Sequence, residues 1–304
     1  MNEQNNNSTA TIAVLMTCYN RREITLNCLD KLYRQNVDFD VYLVDDGCTD
    51  STSEAIAKKY PQVKVLKGDG NLFWGGGMRL AFATAMEHGY DYYVWLNDDT
   101  ILSPDALSNL LNTHQYLAQR GHAKSIVAGS VTDPVTGEYS YGGRIPNKRL
   151  FSFKFDALKP GTKPQECTTM QGNCVLIPHS VTEVVGNIDA AFIHNLGDLD
   201  YGLRARQMGC SVWVAPGYIG TCDTNIAANS WGDTDLPLLK RLQKVFSTKA
   251  FPIKARAIYA KRHKGTFWVF HWLLPYVRAV IGYKNLPSNS FQPKKETQTV
   301  GSIK

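Results

Sequence analysis

A chain of 304 residues with 43% hydrophobic content can bury a substantial core, and its length suits one large domain with a C-terminal extension. The formal charge of +6 is uneven: residues 240–304 hold fourteen Lys and Arg against one acid, Glu296, which leaves −7 for residues 1–239, so the basic end reads as a separate physical object. Seven cysteines without a CxxC pair speak against a disulfide framework and for reduced thiols in a cytosolic protein. The polar, Asn-rich Met1–Thr9 lacks a basic region followed by an apolar one, which predicts a disordered N-terminus with neither a signal peptide nor an anchor.

Thr11–Thr17 is an apolar run ending at Cys18-Tyr19-Asn20-Arg21, and apolar residues then recur at helical spacing from Ile24 to Tyr33: strand, turn, helix. Val41–Val44 predicts a second strand, closed by Asp45-Asp46-Gly47-Cys48-Thr49-Asp50, with Asp50 or Ser51 capping a helix to about Tyr60. Val63–Leu66 predicts a third strand, after which a glycine-rich loop from Gly68 to Gly77 leads to a helix through about His88. The fourth strand, Tyr92–Leu96, breaks into Asn97-Asp98-Asp99-Thr100 before a helix around Pro104–Gln119. Further strands are expected at Ser125–Val131, Thr168–Ile177 and Ser211–Ala215, with Thr132–Pro164 as a hairpin or excursion over the sheet. One helix starts at Pro178, and another carries Asp198 and Asp200 and ends at Gly209.

Strands alternating with helices at this spacing predict βαβ units and a doubly wound α/β sheet, mostly parallel. Ligands of such sheets bind beyond the carboxyl ends of the strands. Two carboxylates at the end of a central strand, Asp98 and Asp99, suit a divalent cation with a phosphorylated ligand; an Asp-rich turn capping the next helix is the alternative for that pair taken alone. No GxGxxG follows the first strand and no GxxxxGK(S/T) occurs anywhere, so neither NAD(P) nor P-loop chemistry is supported.

Five motifs stand in order: Thr17-Cys18-Tyr19-Asn20-Arg21, Val44-Asp45-Asp46-Gly47-Cys48-Thr49-Asp50, Gly70-Asn71 before Gly77, Asn97-Asp98-Asp99, and Gly197-Asp198-Leu199-Asp200-Tyr201-Gly202-Leu203-Arg204. Together they resemble the family-two, inverting glycosyltransferases of the GT-A fold, over about residues 10–225, as in bacterial capsule or O-antigen assembly. The resemblance implies a nucleotide pocket lined by Thr17, Tyr19, Arg21 and one of Asp45 or Asp46, with Asn97 and Asp98 beside the metal. Gly76, within Gly75–Gly77, would admit the donor backbone-close, with Arg79 near the diphosphate. Asp99 would hold Mn2+ or Mg2+. Asp198 falls where the family places its catalytic base, with Asp200 as the competitor, and Gln171 and Asn173 lie where an acceptor loop would be. The chain departs from the pattern at Asn97, which replaces the first acid of a full DxD, and at Gly197, where a Glu is common. It also lacks the metal-binding His that many relatives carry after the last strand. Cys222 or Asp223 would substitute, and a hard cation favours Asp223.

The expected division is a disordered 1–9, a GT-A catalytic domain over 10–235 and a basic amphipathic extension over 236–304. Within the last, Phe267–Ile281 is apolar but interrupted by His271, Pro275 and Arg278, and it is short of the roughly 20 residues a spanning helix needs. Its Trp and Tyr, with flanking Lys and Arg, predict a helix lying on an anionic membrane surface. Packing on the catalytic domain, or on a second copy in a homodimer, is the alternative. Charge without a recognised binding motif does not support a nucleic-acid partner. The reading is a metal-dependent transferase, cytoplasmic and peripheral on the inner face of the cytoplasmic membrane. It would move a sugar from a UDP- or dTDP-sugar to a glycan or polyprenyl-linked acceptor. The rivals are a nucleotidyltransferase, whose Arg- and Lys-bearing loop after the first strand is missing, and a non-catalytic sugar-nucleotide-binding or scaffold protein.

Overall fold

The computed structural model describes residues 10–147, 154–224, 237–246 and 252–281; the segment 1–9 expected to be disordered, and the chain beyond 281, lie outside the described residues. β1 (Ile12–Cys18) is an unbroken buried run, and α1 (Arg22–Leu32) returns over it, burying Cys28, Leu29 and Leu32. β2 (Asp40–Asp45), α2 (Thr52–Lys59) and β3 (Lys64–Lys67) repeat the unit, followed by α3 (Phe73–Met86), β4 (Tyr92–Leu96), a short β5 (Ile101–Leu102) and α4 (Ala106–Ala118). β6 (Ser125–Thr132) opens an antiparallel excursion of β7 (Tyr139–Tyr141), β8 (Gly143–Pro146) and β9 (Phe155–Ala157). Then come β10 (Gln165–Cys167), β11 (Thr169–Met170), β12 (Cys174–Pro178), α5 (His179–Val185), α6 (Gly197–Gln207) and β13 (Ser211–Thr221). The basic end supplies α7 (Leu238–Val245), α8 (Ile253–His263) and α9 (Trp268–Ile281).

Among the described residues the main sheet has the order β10-β13-β6-β12-β4-β1-β2-β3, with β5 added to β13 and β7 to β6. β1, β2, β3 and β4 run in parallel, as do β6 and β13. β12 runs against both β4 and β6, so those two still point the same way and the sheet is mostly parallel. The reversal has a local cause: between β6 and β12 the described residues form strands and no crossover helix, and without that crossover a returning strand pairs antiparallel.

Side chains alternate across β1. Val14 and Met16 join Leu29, Leu32, Leu107 and Leu110 on one face, whereas Ala13 and Leu15 join Met78, Phe82, Trp95 and Tyr201 on the other. Each such fully buried Leu or Phe contributes about 1.5–3 kcal/mol. Both faces are covered, and only the strand ends and the loops beyond them are left for chemistry.

The structure departs from the sequence reading at three places and decides between alternatives at a fourth. Gly75–Gly77 lie inside the first turn of α3, not in the loop before it. A Cβ on Gly75 would sit 2.1 Å from the Phe192 carbonyl oxygen, and one on Gly77 2.2 Å from Thr17 Oγ1, so these glycines serve close backbone packing rather than loop freedom. The expected strand Thr168–Ile177 divides into β11 and β12 around Gln171-Gly172-Asn173. The last strand runs on to Thr221, with register shifts between Val214 and Tyr218 and between Tyr218 and Thr221. Finally, of the two settings expected for the basic end, its α8 shows packing on the rest of the chain: Ala255 and Tyr259 pack on Phe192. α9 leans on its neighbours through the Phe246–Tyr276 stack at 5.3 Å and a bond from Trp272 Nε1 to the Ile253 carbonyl at 3.2 Å. Among the described residues no helix is long and apolar enough to cross a membrane.

Candidate active site

The ends of β1 and β4 meet through one guanidinium. Arg21 donates from Nη1 to Asp98 Oδ1 at 3.1 Å and from Nη2 to Asp99 Oδ2 at 2.6 Å, and Thr25 Oγ1 donates to Asp98 Oδ2 at 3.1 Å. Asp98 is buried, and burial is the main reason its carboxyl is pushed up to about 6; the Arg21 cation opposes the rise and the Asp99 charge adds to it. Asp99 keeps partial access to a cleft of about 290 Å³ that it lines with Arg21, Asn27, Thr221, Cys222 and Asp223. Cys222 Sγ lies 3.4 Å from Asp99 Oδ1.

The turn after β2 is organised from within. Asp46 accepts the amides of Gly70, Leu72 and Phe73 at 2.9, 3.2 and 2.9 Å, which draws the start of α3 against the end of β2. Burial would raise the Asp45 carboxyl, but bonds from Ser53 and from the Cys48 amide, with Lys67 beyond them, hold it at about 2. Both carboxylates are therefore spoken for inside the protein. Thr17 is half-buried against Gly77, Tyr19 is exposed, Gly76 donates to the Leu72 and Ile193 carbonyls, and Arg79 lies exposed in the second turn of α3.

A second centre lies across Asn97. Its backbone amide donates to the Asn173 carbonyl at 2.9 Å and its Oδ1 accepts Trp74 Nε1 at 2.7 Å. Trp74 packs so closely on Gly172 that a Cβ there would meet the indole at 2.4 Å, and the Gly172 amide donates to Asp198 Oδ2 at 3.1 Å. Asp198 Oδ1 accepts the Leu199 amide at 2.8 Å. Burial raises the Asp198 carboxyl above its ordinary range, against the two amides and, more weakly, the Arg144 cation. Gln171 Oε1 accepts both Arg144 Nε and Nη2, at 3.0 and 2.6 Å. Asn173 is buried, with Nδ2 3.3 Å from Cys222 Sγ, and so faces inward rather than toward an acceptor.

Asp200 is a different kind of acid. It is fully buried and bonded to Arg204 Nε at 2.8 Å, Arg262 Nη1 at 2.7 Å and His263 Nε2 at 2.8 Å. Burial alone would raise its carboxyl; these partners outweigh burial and lower it. A buried carboxylate held by three donors, two of them guanidinium groups, is poorly suited to take a proton from a substrate. Among the described residues four non-glycines have positive φ, and three of them flank site residues: Asn20 at 49°, Phe73 at 52° and Leu196 at 73°. Such conformations cost on the order of 1–3 kcal/mol each and persist where the surroundings enforce them.

Sequence reasoning did not single out Trp74, Arg144, Arg262 or His263 for the site. Trp74 had a signal, an aromatic at the mouth of a glycine run; the others sit in an irregular excursion and in a basic segment, where nothing local marks them. Among the described residues no three His, Cys, Asp or Glu side chains group into a metal-binding arrangement. Burial and the Asp99 charge push the Cys222 thiol up to about 12, and sulfur, a soft ligand, is in any case poorly matched to a hard cation. Asp99 and Asp223 remain as oxygen donors, a set that fits a cation held chiefly by the phosphates of its ligand.

Comparison with known proteins bears on the same region. A 24% identical stretch of 200 residues is shared with N-acetylglucosaminyl-diphospho-decaprenol L-rhamnosyltransferase of Mycobacterium tuberculosis, covering 57% of this chain and 63% of that one, so the chain spans less than two thirds of that relative. Hyaluronan synthase of Pasteurella multocida is 31% identical over 101 residues, 32% of this chain and 10% of its own length. Among solved structures, the mannosyltransferase PcManGT from Pyrobaculum calidifontis, in complex with GDP-Man and Mn2+, superposes with a TM-score of 0.53 at 15% identity, covering 91% of this chain and 73% of the other. S. aureus TarS gives 0.53 at 13% identity, over 84% and 43%. These two share the fold, that of GT-A glycosyltransferases. The family model for glycosyl transferase family 2 matches residues 13–186, over half of the chain, and the chain belongs to that family.

Proposed function

We propose that the protein is an inverting glycosyltransferase that moves one sugar from a nucleotide-sugar, a UDP- or dTDP-sugar, to a glycan or polyprenyl-linked acceptor in surface polysaccharide synthesis. One observation carries this reading: two acidic centres, Asp98–Asp99 with Arg21 and Asp198 with Gly172, are joined by consecutive contacts through Asn97 and Trp74. The first suits the diphosphate of a donor and the second a proton acceptor. The acceptor hydroxyl loses its proton to Asp198 as its oxygen bonds to the anomeric carbon. The bond from that carbon to the diphosphate breaks on the opposite face, which inverts the centre and releases the nucleoside diphosphate. A raised carboxyl suits this role, since it makes Asp198 a better base than an exposed aspartate.

Asp99, with Asp223 in the same cleft, would hold Mn2+ or Mg2+, and the ion would neutralise charge on the leaving diphosphate. Thr17, Tyr19, Arg21 and Gly76 would contact the nucleotide. Gln171, oriented by Arg144, would meet the acceptor. The M. tuberculosis relative is named for a decaprenol-linked substrate, which supports a lipid-linked acceptor here; the site of action we infer is the cytoplasmic face of the membrane. α9 supports the same setting: Val269, Phe270, Leu273, Val277 and Val280 are exposed on the side opposite buried His271 and Pro275. The sequence from Leu238 to Ile281 contains no acid, and an apolar helix face in a purely basic segment fits an anionic bilayer.

The deciding experiment is release of nucleotide from UDP-, dTDP- and GDP-sugars, with Mn2+ or with chelator, for wild type and Asp198→Asn. Metal-dependent turnover of one donor, lost in the variant, is expected. Turnover unaffected by Asp198→Asn would remove the assigned base, and nucleotide binding without turnover even with membrane extract would favour a binding protein.

A further inference from the structure

We propose that α8 of the basic extension is a brace for the catalytic base, with Arg262 and His263 acting as positioning residues; this rests on the reading of Asp198 as base. The segment 189–200 links the two halves of the site. At one end the Ile193 carbonyl accepts the amides of Gly75 and Gly76, at 2.6 and 3.2 Å, against the start of α3. At the other end Leu196 takes φ 73°, and the Asp200 amide donates to its carbonyl at 2.8 Å, so the turn that presents Asp198 depends on where Asp200 is held.

Arg262 grips this segment twice. Nη2 donates to Asp189 Oδ2 at 2.7 Å and Nη1 to Asp200 Oδ1 at 2.7 Å, which ties the segment's first turn to its last. His263 Nε2 lies 2.8 Å from the same Asp200 oxygen, with the Gln207 amide 3.4 Å from Nδ1; that leaves Nε2 as the nitrogen directed at the carboxylate with its proton. Arg204, from the same helix as Asp200, already provides one cation for it. A planar guanidinium that engages two carboxylates fixes direction as well as charge. Among the described residues the apolar dock beneath is small, Phe192, Ala255 and Tyr259 with partly buried neighbours, and apolar contact without direction leaves orientation to the ionic contacts. Misplacing a catalytic group by about 1 Å through a distant change costs on the order of 10²-fold in rate.

The test uses the full-length protein and compares wild type, Arg262→Gln, Arg262→Lys and Arg262→Gln/Asp198→Asn. Expected for Arg262→Gln is a fall in kcat of about 10²-fold, with nucleotide affinity within about twofold of wild type. Partial recovery is expected in Arg262→Lys, which keeps the charge but loses the fork. The double variant should be no slower than Asp198→Asn alone, because both changes act on one group. Unchanged kcat, or nucleotide affinity lost in step with kcat, would overturn the brace. Hydrogen exchange at the amides of residues 194–200 reads the brace without turnover: faster exchange in Arg262→Gln supports it and unchanged exchange overturns it. A wild type inactive on every donor would instead sink the transfer reading, leaving the exchange result to decide the brace.

Discussion

Asp198 and Asp200 are two positions apart, yet their surroundings give them opposite characters. Asp198 is half-buried with two amides for partners, and its carboxyl is raised. Asp200 is sealed among cations and its carboxyl is lowered. Asp198→Asn should reduce transfer by about 10²–10⁴-fold, the range for a general base, while nucleotide binding measured by calorimetry persists. Because the raised group must be ionised to act, the acid limb of kcat should fall above pH about 4, the ordinary carboxylate value. Arg144 lowers the Asp198 carboxyl, so Arg144→Gln should move that limb to higher pH. A limb that stays in place would separate Arg144 from the base. From Gly197-Asp198-Leu199-Asp200 alone the preference for Asp198 over Asp200 rested on the resemblance, since two of the three partners of Asp200, Arg262 and His263, lie 62 and 63 residues further along the chain.

At the scale of elements, the first turn of α3 and the junction of α6 with α8 are the parts most exposed to perturbation. Gly75→Ala would drive a Cβ into the Phe192 and Ile193 carbonyls. Backbone cannot rotate away as a side chain can, so a loss of about 1–3 kcal/mol is expected in urea unfolding. Native stability in that variant would refute the close-approach reading of the glycine run. At the α6–α8 junction, Asp200 has a folded pKa below its unfolded value. It binds fewer protons when folded, so its stabilising contribution is present above pH about 4 and disappears as pH falls through the depressed value. Asp200→Asn should therefore unfold with a flatter pH dependence on the acid side, followed by thermal melts between pH about 2 and 6. Elements with regular apolar patterning were legible in advance: β1, α1, β2 and β4 lie within a residue or two of where the pattern puts them. Those governed by contacts between remote segments were not. The division around Gly172 answers to Trp74, and the length of β13 answers to its pairing with β5 and β6.

For the whole molecule, charge and apolar surface are segregated at one end. If α9 meets an anionic bilayer, the protein should co-sediment with vesicles containing anionic lipid, less so at high salt. Phe270→Asp with Leu273→Asp should weaken binding at least about tenfold, since each buried apolar side chain contributes roughly 1.5–3 kcal/mol. Equal retention on neutral vesicles would argue against electrostatic docking. A dimer in solution that the same substitutions break would show that a second copy covers the face instead. By itself the sequence determined the α/β order, the strand-end acids, the family resemblance and the strongly basic end, because periodicity and short motifs are local quantities that a linear chain displays. Which of two neighbouring acids is free, why the glycines are needed, and how the basic end reaches the site were decided only by tertiary structure. Burial, close approach and ion pairing are properties of residues far apart in the chain, and they exist only once the chain has folded.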